Sequence, residues 1–242
     1  MKNQPIFECR DISLAIGGLN ILDRVSLHVS RHQILGLVGP NGAGKTSLFE
    51  VLCGRYHAQK GEVLLDGADI TRMRIHDRAR CGLARTYQSP VVPHSMTVAE
   101  VFRAVRYAYR PFLTRLDAEW GCYLAGFRVR WDRICGTLDT FDRRKLLLAC
   151  LLMRDPKVLL LDEPASGLIN SEIDELDLII RRLVDEYAIG AVLIEHRLEL
   201  LSAIADRAVV LDRGSVIACG TPREAFESPR VHAAYFEGAA HG

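Results

Sequence analysis

A glycine-rich segment near the start of the chain has the residue types and spacing that bind phosphate. Gly39-Pro40-Asn41-Gly42-Ala43-Gly44-Lys45-Thr46 matches the pattern GxxxxGK[ST], follows the apolar run at residues 34–38 and opens a helix-compatible segment. Glycines let successive backbone N–H groups converge on an anion, and the N-terminus of a helix adds partial positive charge. An ordinary glycine-rich turn is the alternative, but the flanking pattern favours a nucleotide site.

Each position of this segment has a predicted role. The ammonium group of Lys45 reaches the β- and γ-phosphates, and the hydroxyl of Thr46 is a ligand for Mg²⁺. Backbone groups of residues 41–47 hold the remaining phosphate oxygens. The predicted nucleotide-binding residues are therefore Gly39, Asn41, Gly42, Ala43, Gly44, Lys45, Thr46 and Ser47.

Two further apolar runs end in residues that can support hydrolysis. Residues 158–161 precede Asp162 and Glu163, and residues 191–194 precede Glu195 and His196. Adjacent residues of a strand point in opposite directions, so Asp162 is predicted to hold Mg²⁺ while Glu163 activates the attacking water. His196 is predicted to hydrogen-bond the γ-phosphate and orient that water. A helix-capping acid pair and a structural histidine are the alternatives.

The rest of the sequence indicates the elements that position these groups. Alternating runs at residues 6–29, and residues 62–65 before the turn Asp66-Gly67, indicate a small antiparallel β subdomain. Short buried strands separated by helical segments predict an α/β fold with a mainly parallel core sheet. Ser171 and Asp174 match a capping box that begins a helix, whose apolar stripe packs on the sheet through Ile173, Leu176, Ile180, Leu183, Val184 and Tyr187.

Strand-like runs are missing between Thr97 and Lys157, where arginine, aromatic and leucine residues predominate. This composition indicates an inserted helical subdomain. We predict one domain over residues 1–242. Residues 1–96 and 157–242 form its core with the antiparallel subdomain, and residues 97–156 form the helical subdomain.

Composition argues against several classes of protein. The 242 residues are 49% hydrophobic, and 31 Lys and Arg against 30 Asp and Glu give a net charge of +1. A near-neutral chain gives no argument for a nucleic-acid partner, which usually selects a basic face. No apolar run approaches the roughly 20 residues that span a membrane, and no secretion signal is visible. The seven cysteines form no CxxC pair, so we expect reduced thiols in the cytoplasm.

The ordered motifs together resemble the ATP-binding subunit of an ABC transporter, a P-loop ATPase, almost from end to end. The resemblance implies ATP and Mg²⁺ as cofactors. It also implies that Gln88 is the glutamine that contacts Mg²⁺ and the water and reports nucleotide state to membrane subunits. The expected metal ligands are then Thr46, Gln88 and Asp162, and the expected catalytic residues are Glu163, His196 and Gln88.

Four segments narrow this resemblance. GLARTYQ at residues 82–88, DEPASGL at 162–168, LIEH at 193–196 and Ala234-Tyr235 resemble the branched-chain amino-acid importer ATPases. The resemblance implies a cytoplasmic motor on the inner face of the cell membrane, bound to integral membrane permease subunits and served indirectly by a solute-binding protein. The resemblance further implies that ATP binding closes a dimer of such subunits and that hydrolysis reopens it.

The segment that should cover a partner's ATP departs from the family pattern. In ABC ATPases the signature LSGGQ of one chain closes over ATP on the other, but here Leu138-Asp139-Thr140-Phe141-Asp142 takes its place. We expect Asp139 to repel the γ-phosphate by on the order of 1 to 4 kcal/mol, and Phe141 to obstruct the close approach of backbone. Ile16 replaces the usual adenine-stacking aromatic, and Ile169 replaces the usual Asp or Asn.

These departures favour a heterodimer in which a second ABC ATPase supplies an intact signature. The alternative is a working homodimer, with Asp139 and Phe141 pointing elsewhere. A regulatory nucleotide-binding subunit with little hydrolysis of its own is a second function hypothesis, which Glu163 and His196 oppose. A soluble ABC ATPase acting on DNA or ribosomes is a third, opposed by the near-neutral charge and the single nucleotide-binding unit.

Overall fold

The computed structural model describes residues 4–89, 91–109 and 111–236, which fold around two β-sheets. The strands are β1 (Pro5–Ile16), β2 (Leu19–Ser30), β3 (Gln33–Val38), β4 (Lys60–Leu65), β5 (Ala68–Asp69), β6 (Leu83–Arg85), β7 (Val158–Asp162), β8 (Gly190–Ile194), β9 (Arg207–Asp212) and β10 (Ser215–Gly220). The helices are α1 (Lys45–Leu52), α2 (Ile75–Arg80), α3 (Val98–Ala108), α4 (Arg115–Leu124), α5 (Thr140–Leu152), α6 (Asn170–Tyr187), α7 (Leu198–Ile204), α8 (Pro222–Phe226) and α9 (Pro229–Phe236). A 3₁₀ turn at Cys135–Thr137 precedes α5.

The smaller sheet is antiparallel and has the strand order β2-β1-β4-β5. Strand β1 pairs with β2 through the turn at Gly17 and Gly18, whose φ angles are 59° and 83°. Alternate residues of β2 are buried, so one face of this sheet packs against the rest of the protein. The predicted antiparallel β region is therefore confirmed.

The larger sheet carries the candidate functional residues. Its order is β10-β9-β3-β8-β7-β6, and all its neighbours are parallel except β9 and β10. Every residue of β7 and β8 is buried, as expected for strands covered on both faces. Because β3, β7 and β8 run in parallel, their carboxyl ends meet at the same edge of the sheet. Gly39 and Glu195 directly follow β3 and β8, and Asp162 is the last residue of β7.

Helices dominate the described residues between β6 and β7. Helix α3 begins with a capping box between Thr97 and Glu100, and α4 begins with one between Thr114 and Asp117. Within the described part of this region, an isolated β-bridge joins Thr97 and Ile134. Apolar side chains of these helices share one buried cluster with β7, β8 and α6. Division of the chain at residues 97 and 156 remains our proposal.

Helix α6 begins earlier than the sequence pattern predicts. Asn170 is its first residue, and the Glu172 carboxylate accepts the backbone N–H of Ile169 at 3.0 Å. The predicted capping box of Ser171 and Asp174 is therefore wrong, because Ser171 already lies inside the first turn. The predicted apolar stripe is correct, since its members from Ile173 to Val184 are buried on the sheet, and only Tyr187 is partly exposed.

No helix among residues 4–89, 91–109 and 111–236 is both long enough and apolar enough to cross a bilayer.

Candidate functional site

The P-loop forms a tight turn between β3 and α1 that only glycine permits at two positions. Gly39 has φ 154°, and a Cβ there would lie 2.1 Å from the carbonyl oxygen of Leu211. Gly44 has φ 102°, and its Cβ would meet Leu22 at 2.9 Å and the Ile21 carbonyl oxygen at 3.0 Å. Helix α1 follows Gly44 without a side-chain cap and without an acidic residue in its first turn. Its N-terminal N–H groups thus lack a competing side-chain anion.

The side chain of Lys45 folds back over the P-loop and is held by its carbonyl oxygens. Its side chain is buried, and Nζ donates to the carbonyl oxygens of Gly39 at 2.6 Å and Pro40 at 3.0 Å. Burial lowers the pKa of Lys45, while the nearby charges of Glu163 and Asp162 act in the opposite direction. A buried ammonium group with carbonyl partners is poised to exchange them for phosphate oxygens.

The other predicted nucleotide-binding residues form a continuous surface with Lys45. Asn41 and Gly42 are exposed at the turn, whereas Ala43 is buried beneath it. Thr46 and Ser47 lie in the first turn of α1, where Thr46 is exposed and Ser47 is partly buried. The structure therefore brings these residues together as one cradle, and their contact with nucleotide remains our proposal.

Asp162 ends β7 with its side chain 9% exposed. Its Oδ2 accepts a hydrogen bond from Nη2 of Arg85 at 3.1 Å, and its backbone N–H donates to Oγ1 of Thr86 at 3.2 Å. Burial raises the pKa of Asp162, and the guanidinium of Arg85 opposes that rise. Asp162 is thus held through one carboxylate oxygen and through its backbone N–H, with Oδ1 left for a ligand.

The predicted metal ligands suit Mg²⁺ by their chemistry. The hydroxyl of Thr46, the carboxylate of Asp162 and the amide oxygen of Gln88 are hard oxygen donors, which Mg²⁺ prefers. The described part of the chain contains no group of three or more His, Cys, Asp or Glu side chains that could hold a metal ion. A cation held by these three residues would take its further ligands from water and nucleotide phosphates, as Mg²⁺ usually does.

The three predicted catalytic residues are in direct contact. Nε2 of Gln88 donates to Oε2 of Glu163 at 2.6 Å, and Nε2 of His196 contacts Oε1 of the same carboxylate. The Glu163 side chain is 16% exposed, so part of it remains accessible. This cluster can position a water molecule and accept its proton.

Arg85 is a site residue that the sequence reasoning missed. Its side chain is 6% exposed and contacts Glu50 at 2.9 Å, Asp162 at 3.1 Å and Sγ of Cys53 at 3.1 Å. Its guanidinium also lies 4.8 Å from the ring centre of Tyr87. One buried cation therefore connects α1, the end of β7 and the segment that carries Gln88. A charged residue ending a short buried strand is the available sequence signal.

The loop that follows Glu163 has two further charged partners that the sequence reasoning missed. Arg144 of α5 donates to the carbonyl oxygens of Glu163, Pro164 and Ser166. Glu195 is buried, and its Oε1 accepts the backbone N–H of Ala165 at 3.2 Å. Burial raises the pKa of Glu195. Both residues act on the main chain, which motif patterns do not describe.

The atypical segment at residues 138–142 serves the folding of α5. The Asp139 carboxylate accepts the backbone N–H of Asp142 at 2.7 Å and caps the helix. Phe141 is buried in the chain's own core, with Nζ of Lys145 4.2 Å from its ring centre. The expectation that Phe141 obstructs a partner's nucleotide is therefore wrong, because its side chain points inward.

The other two departures lie on the surface. Ile16 ends β1 with 46% of its surface exposed, and Ile169 precedes α6 with 66% exposed. Both apolar side chains are thus accessible to a ligand or to a neighbouring subunit.

Comparison with known proteins places this geometry in a family. The sequence model described as ABC transporter matches residues 22–166. The high-affinity branched-chain amino acid transport ATP-binding protein BraF of Pseudomonas aeruginosa is 33% identical over 96% of this chain and 98% of its own length. The corresponding protein LivG of Escherichia coli is 31% identical over the same shares.

A relative from another kind of importer and a solved structure also match this chain. The sulfate/thiosulfate import ATP-binding protein CysA of Bordetella parapertussis is 33% identical over 94% of this chain and 65% of its own length. The crystal structure of the ADP conformation of an ATP-binding cassette from an ABC transporter superimposes with a TM-score of 0.86, at 24% identity. That comparison covers 96% of this chain and 99% of the cassette, so the two share a fold.

Proposed function

The chain belongs to the ABC transporter family as an ATP-hydrolysing subunit, and from that premise we propose that it powers an importer of branched-chain amino acids or related small polar solutes. The observation that carries the proposal is the contact of Glu163 with Gln88 and His196 beside the P-loop. The relatives BraF and LivG supply the solute class, and their match over 96% of the chain supports it.

Nucleotide binding uses the cradle at the start of α1. The backbone N–H groups of residues 41–47 hold phosphate oxygens, and Lys45 exchanges its carbonyl partners for the β- and γ-phosphates. Thr46, Asp162 and Gln88 would hold Mg²⁺, which would neutralise phosphate charge. Arg85 keeps the Asp162 carboxylate in place for that role.

Hydrolysis uses the cluster around Glu163. One oxygen of Glu163 accepts a proton from the attacking water, and to do so it releases either Gln88 or His196. His196 then donates to a γ-phosphate oxygen, while Gln88 orients the water. The oxygen of that water attacks phosphorus, and the bond to the departing ADP breaks.

The proposed assembly sits on the inner face of the cell membrane. Permease subunits bind this chain, and a solute-binding protein delivers solute to them. A second ABC ATPase completes the dimer, with a heterodimer favoured over a homodimer. The capping role of Asp139 supports that preference, because its carboxylate occupies the end of α5 that would otherwise attract phosphate.

Steady-state MgATP hydrolysis tests this function. We expect the assembled complex to hydrolyse ATP, and Glu163→Gln to lower turnover by more than about 100-fold while ATP affinity changes less than about threefold. The purified chain alone, measured in parallel, reports whether a homodimer is active. Undiminished hydrolysis by Glu163→Gln would refute its role as base, and uptake of labelled leucine into vesicles tests the solute class.

A further inference from the structure

The backbone of Glu163 is held in a conformation that a glutamate adopts rarely. Its φ angle is +45°, in the left-handed region that favours glycine. Its N–H donates to the carbonyl oxygen of Ile194 at 3.0 Å, and its own carbonyl oxygen accepts the N–H of Ser166 at 3.1 Å. Such a conformation persists only where surrounding groups enforce it.

Arg144 supplies much of that enforcement from α5. Its Nη1 donates to the carbonyl oxygens of Glu163, at 3.3 Å, and of Pro164, while Nη2 donates to that of Ser166. A planar guanidinium can satisfy three carbonyl groups at once, because its donors have a fixed fork geometry. A lysine ammonium group at this position lacks that geometry.

Glu195 holds the same loop from the end of β8. Its Oε1 accepts the N–H of Ala165 at 3.2 Å, and its charge attracts the guanidinium of Arg144. The loop at residues 163–166 is therefore held from two sides. The guanidinium of Arg144 donates to its carbonyl oxygens, and the carboxylate of Glu195 accepts one of its N–H groups. Of these two partners, Arg144 alone belongs to the helix that begins at the signature position.

We propose that Arg144 is a positioning residue that ties the orientation of α5 to the backbone of Glu163. The catalytic meaning of this link rests on the proposed function, in which Glu163 is the base. Residues 138–142 at the start of α5 would contact nucleotide held by the partner subunit. A shift of α5 on that contact displaces the carbonyl groups of residues 163–166, so one site of the dimer controls the base of the other.

Hydrogen–deuterium exchange of the full chain tests the link without requiring turnover. We expect Arg144→Met to accelerate exchange at the amides of Ala165, Ser166 and Leu168 by at least about fivefold, and Arg144→Lys to give a smaller acceleration. Arg182→Met is the matched control, because Arg182 donates to the carbonyl oxygens of Tyr123 and Leu124, away from this loop.

Each result decides the matter. An acceleration below about fivefold in Arg144→Met, or an equal one in Arg182→Met, overturns the proposal. If Arg144→Met does not fold, Arg144→Lys decides alone, with an acceleration of at least about twofold supporting the link and a smaller one overturning it.

Kinetics of the assembled complex supply the second readout. We expect Arg144→Met to lower kcat about tenfold with KM for ATP changed less than about twofold, since a displaced base affects the chemical step. A rise in KM with unchanged kcat contradicts a positioning role. Absence of hydrolysis by the wild-type complex would refute the proposed function, whereas the exchange experiment would still test the Arg144 link.

Discussion

Two helices of this chain begin at positions where the family binds phosphate, and their N-termini differ in charge. Helix α1 has glycine at its N-cap, no side-chain cap and no acid in its first turn. Helix α5 has Asp139 at its N-cap and Asp142 in its first turn. Burial raises the pKa of Asp142, and the neighbouring charge of Asp139 raises it further.

A helix N-terminus is available to an external anion when no acidic side chain of the same chain already occupies it. The partial positive charge and free N–H groups are the same for both helices. In α1 they are available to a nucleotide, whereas in α5 the carboxylate of Asp139 already accepts an N–H. Under the proposed function, the start of α1 is therefore free to bind the chain's own nucleotide, whereas the start of α5 presents an altered surface to a partner.

The largest effect is expected from a substitution that makes the start of α1 resemble the start of α5. Ser47 and Asp142 occupy equivalent third positions of the two helices, so Ser47→Asp places an acid beside the phosphates. We expect ATP affinity to fall roughly 10- to 100-fold, because like charges a few ångströms apart repel by about 1 to 4 kcal/mol. Ser47→Asn is the uncharged control. Equal ATP affinity of the two variants in calorimetry would show that an acid at this position of α1 does not repel the nucleotide.

A smaller gain is expected on the adenine side of the same cradle. Ile16 offers an aliphatic side chain where an aromatic ring would stack on the base. We expect Ile16→Tyr to tighten ATP binding by about fivefold, since stacking of a base on an aromatic contributes about 1 to 3 kcal/mol. Ile16→Leu serves as control in the same titration, and an unchanged dissociation constant for the tyrosine variant would place adenine elsewhere.

The charge at the start of α5 can be removed without removing the cap. Asp139→Asn keeps a side-chain oxygen for the N–H of Asp142, since asparagine is as good an N-cap as aspartate. We expect MgATP-dependent self-association to strengthen by about threefold, because on the order of 1 kcal/mol of repulsion is relieved. Sedimentation velocity in a Glu163→Gln background measures the strength of this self-association. No change would favour the homodimer in which Asp139 is harmless.

The smallest effect is on folding. Asp139→Ala removes both charge and cap, and we expect the free energy of unfolding to fall by about 1 kcal/mol. The corresponding drop in Tm is about 2 to 4 °C for a chain of this size. Asp139→Asn should retain the Tm of the wild type in the same calorimetric scan. A destabilised asparagine variant would assign the contribution of Asp139 to its charge.

Local patterns predicted much of this molecule, and contacts distant in sequence account for what was missed. The P-loop follows from adjacent residues, and the apolar runs before Asp162 and His196 identified the strands that carry them. Arg85 and Arg144 act on groups 77 and 19 to 22 residues away, respectively, which no short pattern describes.

The family pattern also did not predict that the side chain of Phe141 points into the core. The signature position suggested an exposed side chain, but the apolar environment inside the helical region buries it. Asp139 is different, because aspartate three residues before another acid at the start of a helix is a readable capping signal. The sequence contained that signal, although the resemblance directed attention to phosphate instead.

Both oxygens of the Glu163 carboxylate contact other side chains, which limits when this group can act as a base. Gln88 donates to one of its oxygens, and His196 contacts the other. A water molecule that enters early meets a base that must first give up a partner, and hydrogen bonds to charged groups are worth about 1.5 to 3 kcal/mol. Under the proposed function, proton transfer to Glu163 is therefore coupled to a γ-phosphate that accepts a hydrogen bond from His196, so hydrolysis is favoured only where that phosphate is in place.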